Sequence, residues 1–159
     1  MNLAGVSLSV LAALAIALGG GGLSAGLALY VKEKVPGARL IGCQLEVTPA
    51  LRLSLERGSA VTRMSSGESL AAGIEGGIGS ETFEILRTRV DDSPLVNDAE
   101  ICEAVRWMVE EHQYLIEPTA AAVLAACLSG KVAPVSAPAV VVISGRNVSS
   151  ATARKILCS

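Results

Sequence analysis

The stretch ALAIALGGGGLSAGLALYVKEK, residues 13–34, decides the reading of this chain. An uncharged apolar run, Leu3–Leu18, meets four consecutive glycines, Gly19–Gly22, and then a helix-like segment, Leu23–Lys34. Strand, side-chain-free turn and helix start, in that order, is a common way to hold a phosphate. Glycine bends freely and lets bare N–H groups approach an anion. The helix N-terminus adds unpaired donors and a partial positive charge. Taken by itself the glycine run is equally compatible with a slack linker, and the residues after Gly22 separate the two.

Outward from that stretch, strand-like and helix-like segments alternate. Val10–Leu18 reads as the first strand. Leu23–Lys34 is a helix apolar nearly all round (Leu23, Leu27, Leu29, Tyr30, Val31), hence expected to be deeply packed, and Pro36-Gly37 ends it. Ala38–Gln44 reads as a buried strand and Pro49–Arg57 as a short helix closed by Gly58. Residues 59–79 are irregular, the composition of a loop that meets a ligand. Ser80–Arg89 reads as a helix and Leu95–Val96 as a short strand.

Asn97 and Glu100 have capping-box spacing, and the helix after them sets Ile101, Val105, Met108, Val109 and His112 on one face. Thr119–Leu128 is an all-apolar helix, so exposed apolar area there would demand a partner. Ala139–Ile143, a continuous β-branched run, carries the mark of a central parallel strand. It leads into Ser144-Gly-Arg-Asn147, and a last helix, Ser149–Leu157, starts at a serine cap. No internal repeat or low-complexity segment is present. The alternation predicts an α/β fold: an open, mostly parallel sheet with flanking helices. Ligands bind such sheets beyond the strand C-terminal ends. Gly19–Gly22, Glu117 and Ser144–Asn147 fall at such ends or their equivalents, and the first and last of these should share one side of the sheet.

Composition narrows the function classes. At 159 residues the chain fits one domain. It is 51% hydrophobic yet only 3% aromatic, so the core must be aliphatic. Net charge is −2, with no basic block, which argues against a nucleic-acid partner. Cys43, Cys102, Cys127 and Cys158 form no C-x-x-C pair and read as buried reduced thiols acting as small apolar residues. His112 is the only histidine, which excludes a multi-histidine metal site and leaves a core or snorkelling role. Asp91-Asp92 reads as a solvated helix end. Trp107 and Met108 read as core or interface. The Leu3–Leu18 run is shorter than the ~20 residues of a membrane span and lacks the basic lead of a secretory signal, since no Lys or Arg precedes Lys32. The expectation is a cytoplasmic protein without a membrane anchor.

The strings GGGGLSAGLAL (19–29), GIGSETFEILRTRVDD (77–92), LIEPTAAAVLAACLSGK (115–131) and VVVISGRNV (140–148), in this order and spacing, resemble the fold-type II pyridoxal-phosphate enzymes. The likeness is to the threonine dehydratase, serine dehydratase and serine racemase group, and it covers residue 19 to the end. It implies a part of the tryptophan synthase β-like architecture, with residues 19–159 as a cofactor-binding α/β domain truncated relative to the family. Residues 1–18 would be an apolar lead-in strand or a re-started N-terminus. The resemblance makes Gly19, Gly20, Gly21 and Gly22, with Leu23, the cup for the phosphate of pyridoxal 5'-phosphate. Ser144, followed by Gly145, would be the hydroxyl that bonds the pyridine nitrogen, and Glu117 the glutamate beside the ring. A neutral serine does not force that nitrogen to be protonated, so the cofactor would be a milder electron sink that favours β-elimination. Asn147 would shape the loop, and Arg146 stands where many relatives have glycine.

The family's reactive Schiff-base lysine and its substrate-carboxylate loop belong to the N-terminal half of full-length members, and neither motif occurs here. The lysines are Lys32, Lys34, Lys131 and Lys155, none in a glycine-lined setting that would depress its pKa. No catalytic residue is therefore assigned, and the cofactor would be held without a covalent bond. Ala71-Ala72-Gly73 stands where the family often has Ala-Asp-Gly, and Gln44 where racemase-like members place a metal-ligating glutamate, so no metal site is expected. No C-terminal regulatory domain is expected after Asn147. The expected function is the C-terminal portion of a threonine/serine dehydratase-like ammonia-lyase, a class that turns a hydroxy amino acid into a 2-oxo acid and ammonia. The alternative is a non-catalytic α/β module that binds a phosphorylated ligand, a second copy or a complementing chain.

Overall fold

The computed structural model describes residues 10–65, 67–135 and 138–158. The part of the apolar run before Val10 lies outside them. Strands β1 (Ala13–Ala17), β2 (Arg39–Leu45), β3 (Leu95–Val96) and β4 (Ala139–Val141) form one sheet in the order β3-β2-β1-β4, every pairing parallel. Helices are α1 (Gly22–Lys34), α2 (Ala50–Arg57), α3 (Ser80–Leu86), α4 (Asp98–His112), α5 (Pro118–Leu128) and α6 (Ser150–Leu157), with a 3-10 turn at Ala72–Ile74. The predicted open parallel sheet with flanking helices is the fold observed.

Side-chain alternation along β1 splits the core in two. Leu14, Ile16 and Leu18 join Ala25, Ala28 and Val31 of α1 and Phe83 and Leu86 of α3. Ala13, Ala15 and Ala17 join Ala121, Ala122, Ala125 and Ala126 of α5, Ile101 and Val105 of α4, and Ile156 of α6. Alanine on both sides of that second contact lets α5 lie close against the sheet. The result is three layers: α1–α3, sheet, α4–α6. Each fully buried Leu or Ile contributes about 1.5–3 kcal/mol.

Several local expectations are corrected. The Ala139–Ile143 run does not make a central strand: β4 is the sheet edge, and Val140 is 43% exposed. β-branched composition reports strand propensity, not place in the sheet. Second, α1 is not packed all round. Its small residues Ser24, Ala25 and Ala28 are buried with Val31, while Leu23, Leu29 and Tyr30 are exposed. Third, His112 is not a core residue; it is exposed at the end of α4, its ring 4.7 Å from that of Trp107.

The all-apolar α5 is covered within the chain itself, with Ala120–Val123 buried. Asp91 and Asp92 do not end a helix. The Asp91 Oδ2 accepts from the Leu40 amide at 2.6 Å and from Lys32 Nζ at 2.6 Å, and Asp92 bridges to Ile41 beside β2. The capping box forms as expected: Asn97 Oδ1 accepts from the Glu100 amide at 3.1 Å, and Glu100 Oε2 accepts from the Asn97 amide at 2.9 Å.

Candidate functional site

β1 is where the sheet changes direction. The chain leaves β1 through α1 to β2 on one side, whereas β4 returns on the other. The loops after β1 and β4 therefore diverge and open a crevice at the strand C-terminal ends, the standard ligand position in open α/β sheets. A cavity of about 200 Å³ occupies that crevice, lined by Ala17, Gly19–Gly22, Leu23, Ser24, Gly73, Ile74, Thr119 and Ser144. The glycine turn and the Ser144 loop, far apart in the chain, share one cavity.

The four glycines are not interchangeable. A Cβ on Gly19 would stand 2.7 Å from the Cα of Ile74, too close to relieve without moving backbone. Gly21 has φ +90°, and its Cβ would meet Thr82 Oγ1 at 2.8 Å. These two are required by close packing and by a left-handed backbone. Gly20 and Gly22 have nothing within 4 Å of where a Cβ would stand. They leave the cradle open toward the cavity.

Thr82 fixes the turn from behind. Its hydroxyl bonds the Gly20 carbonyl at 2.7 Å and the Gly79 carbonyl at 2.9 Å, and the Gly79 amide donates to the Gly20 oxygen at 3.2 Å. With that carbonyl turned away, the amides of Gly20, Gly21, Gly22, Leu23 and Ser24 have no acceptor among the described residues. They sit at the N-terminus of α1, where the helix dipole adds to their pull on an anion. The Ser24 hydroxyl donates to the Ala17 carbonyl at 3.3 Å.

Glu117 and Gly145 meet the cavity only indirectly. The Glu117 carboxylate accepts from the Asn147 amide at 2.9 Å, and the Glu117 amide donates to the Gly145 carbonyl at 3.3 Å. A Cβ on Gly145 would run into the Glu117 carboxylate. Glu117 thus lies against the Ser144–Asn147 loop and supports it, while Ser144 lines the cavity. Thr119, two residues beyond Glu117, reaches the cavity wall and accepts from the Gly73 amide at 3.1 Å.

None of the four lysines lines the cavity. Lys32 pairs with Asp91 at 2.6 Å, Lys34 with Glu33 at 2.6 Å, and Lys131 with Glu100 at 2.7 Å and Glu46 at 3.3 Å. The hydrogen bond to Glu100 holds the Lys131 ammonium above its ordinary value, the opposite of what a nucleophilic amine needs. Burial raises the Cys43 thiol far above the ordinary range and raises Cys127 as well. Neither is an activated nucleophile. Gln44 is fully buried, with Oε1 accepting from the Arg52 amide and the Ser93 hydroxyl. No cluster of three or more His, Cys, Asp or Glu able to hold a metal occurs among the described residues. No helix among them is long and apolar enough to cross a membrane.

Sequence reasoning missed Ser24, Gly73, Ile74, Thr119 and Thr82. Thr119 stood two residues after Glu117 in the IEPT string. Gly73 belonged to a string read only as a departure. Thr82 gave no signal, because its role depends on α3 packing behind a turn some sixty residues earlier.

A group with a phosphate at one end and a ring nitrogen at the other fits this cavity. Free amides and open glycine positions stand on one wall and a hydroxyl on another. Comparisons with known proteins agree with that chemistry. Residues 5–145 match the family described as "Pyridoxal-phosphate dependent enzyme". The L-threonine ammonia-lyase of Geobacter sulfurreducens is 37% identical over 134 residues, 84% of this chain and 33% of that protein. The serine racemase of Rattus norvegicus is 35% identical over 140 residues, 86% of this chain and 42% of that protein. The structure of the processed form of threonine deaminase isoform 2 from Solanum lycopersicum superimposes with a TM-score of 0.82 at 26% identity, covering 92% of this chain and 43% of that one. The chain thus spans less than half of the length of these relatives. It belongs to the pyridoxal-phosphate-dependent enzyme family, in its fold-type II threonine dehydratase and serine racemase group.

Proposed function

We propose that this chain forms the phosphate-and-ring-binding portion of a dehydratase-like ammonia-lyase and holds pyridoxal phosphate there without a covalent bond. The observation that carries the reading is the shared cavity: Gly20–Ser24, whose amides have no acceptor among the described residues, line the same space as Ser144. Residues 19–159 supply the binding unit, and Ala13–Ala17 its central strand.

Bound in this cavity, the cofactor supplies an electron sink for bond breaking at an amino acid's α-carbon. The amides of Gly20 to Ser24 bind the phosphate by direct hydrogen bonds and the α1 dipole. The Ser144 hydroxyl offers the ring nitrogen a neutral partner and leaves its protonation to solvent. Glu117 orients the loop that carries Ser144. Gly73, Ile74 and Thr119 wall the cavity and exclude water from one side of the ligand. Among the described residues no side chain lining the cavity is placed to remove a proton from carbon, so under this reading a complete catalytic cycle would draw that residue from elsewhere.

Equilibrium titration tests the reading. The purified chain is titrated with pyridoxal phosphate and with pyridoxal, then reduced with borohydride and passed through a desalting column. The expected result is saturable binding of the phosphorylated form only, with no label retained after reduction. Retention of a reduced adduct on Lys32, Lys34, Lys131 or Lys155 would overturn the non-covalent assignment. Absence of saturable binding would overturn the cofactor assignment itself.

A second reading rests on β4. Among the described residues its outer edge is unpaired and partly exposed, an arrangement that invites a further strand from another chain. Under this reading the module pairs with a complementing polypeptide or with a second copy. Sedimentation velocity distinguishes the cases: a monomer at micromolar concentration counts against self-pairing. The four thiols, free of disulfides among the described residues, suit a reducing cytoplasmic compartment.

A further inference from the structure

We propose that Arg146, clamped on Tyr114, is a positioning residue that fixes Ser144 at the wall of the cavity. The inference rests on the ligand reading above and adds a residue to it. The starting point is how little else holds the loop. β4 ends at Val141, and the last backbone bond tying the strand to β1 runs from the Val142 amide to the Ala15 carbonyl at 2.9 Å. From there to the Ser149 cap of α6, the sheet gives no support.

Ile143 packs against the α4–α6 core, and the hydrogen bonds that tie residues 145–147 to another segment go to one neighbour, residues 114–117. The Arg146 guanidinium carbon lies 4.3 Å from the centre of the Tyr114 ring, and its Nε donates to the Leu115 carbonyl at 3.2 Å. The Glu117 carboxylate takes the Asn147 amide, and the Gly145 carbonyl takes the Glu117 amide. Residues 145, 146 and 147 are thus each tied to 114–117, and Ser144 is the residue immediately before them.

The anchor is itself firm. The Tyr114 amide donates to the Met108 carbonyl at 3.1 Å, where Gln113, at φ 51°, turns the chain out of α4. Pro118 then starts α5, and Thr119 ties that helix to Gly73 across the cavity wall. The clamp therefore connects Ser144 to the segment that leads into α5, whose Thr119 lines the same cavity. Arginine suits the task because its flat guanidinium stacks on an aromatic face while its Nε still donates sideways. Glycine at this position has no side chain to reach Tyr114.

Hydrogen exchange of residues 143–149 and ligand titration test the clamp together, on the wild type, Arg146→Gly, Tyr114→Leu and Tyr114→Phe. An exposed cation–π contact of this kind corresponds to about twofold to fivefold in an equilibrium constant. Arg146→Gly and Tyr114→Leu should each speed exchange in 143–149 and weaken pyridoxal phosphate binding by about that factor. Inorganic phosphate, which needs only the glycine cradle, should bind all four proteins alike. Tyr114→Phe keeps the ring and should behave as wild type, which a merely destabilising substitution in the loop would not reproduce. Unchanged exchange and unchanged affinity in Arg146→Gly would overturn the proposal. So would loss of inorganic phosphate binding in step with the cofactor. A wild type that binds no pyridoxal phosphate would refute the ligand reading alone, and the exchange rates of the four proteins would still decide whether the clamp fixes the loop.

Discussion

The Gly19–Gly22 turn leaves the middle of the sheet, and the Ser144–Asn147 turn leaves its edge. The first is held by backbone geometry: β1 is paired on both sides, two glycines are locked by close packing, and α3 stands behind. The second follows a three-residue strand paired on one side only among the described residues, and contacts with 114–117, most of them through a side chain, do the holding. One cavity is therefore bounded by a wall preset by the fold and a wall set by side-chain contacts. Under the proposed function, phosphate recognition would belong to the first and adjustment to the rest of the ligand to the second.

Substitution in the strands gives the sharpest way to break this contrast. Ile16 on β1 is fully buried, so Ile16→Ala leaves a cavity in a packed layer and should cost about 3–4 kcal/mol. Val140 on β4 is 43% exposed, and Val140→Ala should cost less than about 1 kcal/mol, since exposed positions rarely exceed that. Chemical denaturation of both variants checks the pair. Equal losses would mean that β4 is as buried as β1, and the asymmetry would be gone.

Next in size is Gly21→Ala. The residue must take φ +90° with its Cβ 2.8 Å from Thr82 Oγ1. Strain and overlap together amount to about 2–3 kcal/mol, and inorganic phosphate binding should disappear with the cradle's shape. Gly145→Ala on the edge turn meets only the end of the Glu117 side chain, which can swing aside. It should lose less stability and keep phosphate binding. Isothermal titration with phosphate, beside a thermal melt, separates these outcomes.

A smaller effect is expected behind the cradle. Thr82→Val keeps the shape of the side chain and removes both hydroxyl bonds to the Gly20 and Gly79 carbonyls. The loss should be about 1 kcal/mol, with phosphate affinity falling a few-fold as the Gly20 carbonyl is released toward the cavity. An unchanged affinity would show that the glycines alone hold the turn.

The contrast also explains what the sequence could reveal. The central turn was legible because its shape is local: four consecutive glycines between a strand and a helix make a side-chain-free turn at a helix start, whereas the ligand came only from the wider resemblance. Ser144 was legible as a hydroxyl at the end of a strand-like run. That this strand lies at the edge was not legible, because Ala139–Ile143 has the composition of a central strand and position depends on which strands pair. The exposure of Leu23, Leu29 and Tyr30 was hidden for a related reason: a helix apolar all round does not say which side is buried, and here the small residues fit against the sheet. Thr82 and the Arg146–Tyr114 contact join segments 62 and 32 residues apart. No local pattern carries such pairs.

Thiol reactivity extends the comparison to the two ends of the chain's cysteine set, with the smallest effect on stability. Cys43 on β2 is fully buried and sits on the α5 side with Cys127, whereas Cys158 follows α6 and is exposed. The thiolate is the species that reacts with an alkylating reagent, and burial holds Cys43 in its neutral form. Iodoacetamide at neutral pH should therefore label Cys158 first and Cys43 only as fast as the chain unfolds. The same cause has a consequence for stability, and its sign follows from proton binding. Below the ordinary thiol value of 9.0, Cys43 is neutral in both folded and unfolded chains and stability is unaffected. Above it the unfolded chain loses the proton while the folded chain keeps it, so stability falls as pH rises. Denaturation midpoints measured on either side of that value should decline for the wild type and decline less for Cys43→Ala, after allowance for the small cavity. Labelling of Cys43 as fast as Cys158 would mean that the α5 side of the sheet opens as readily as the end of α6, contrary to a preset central wall.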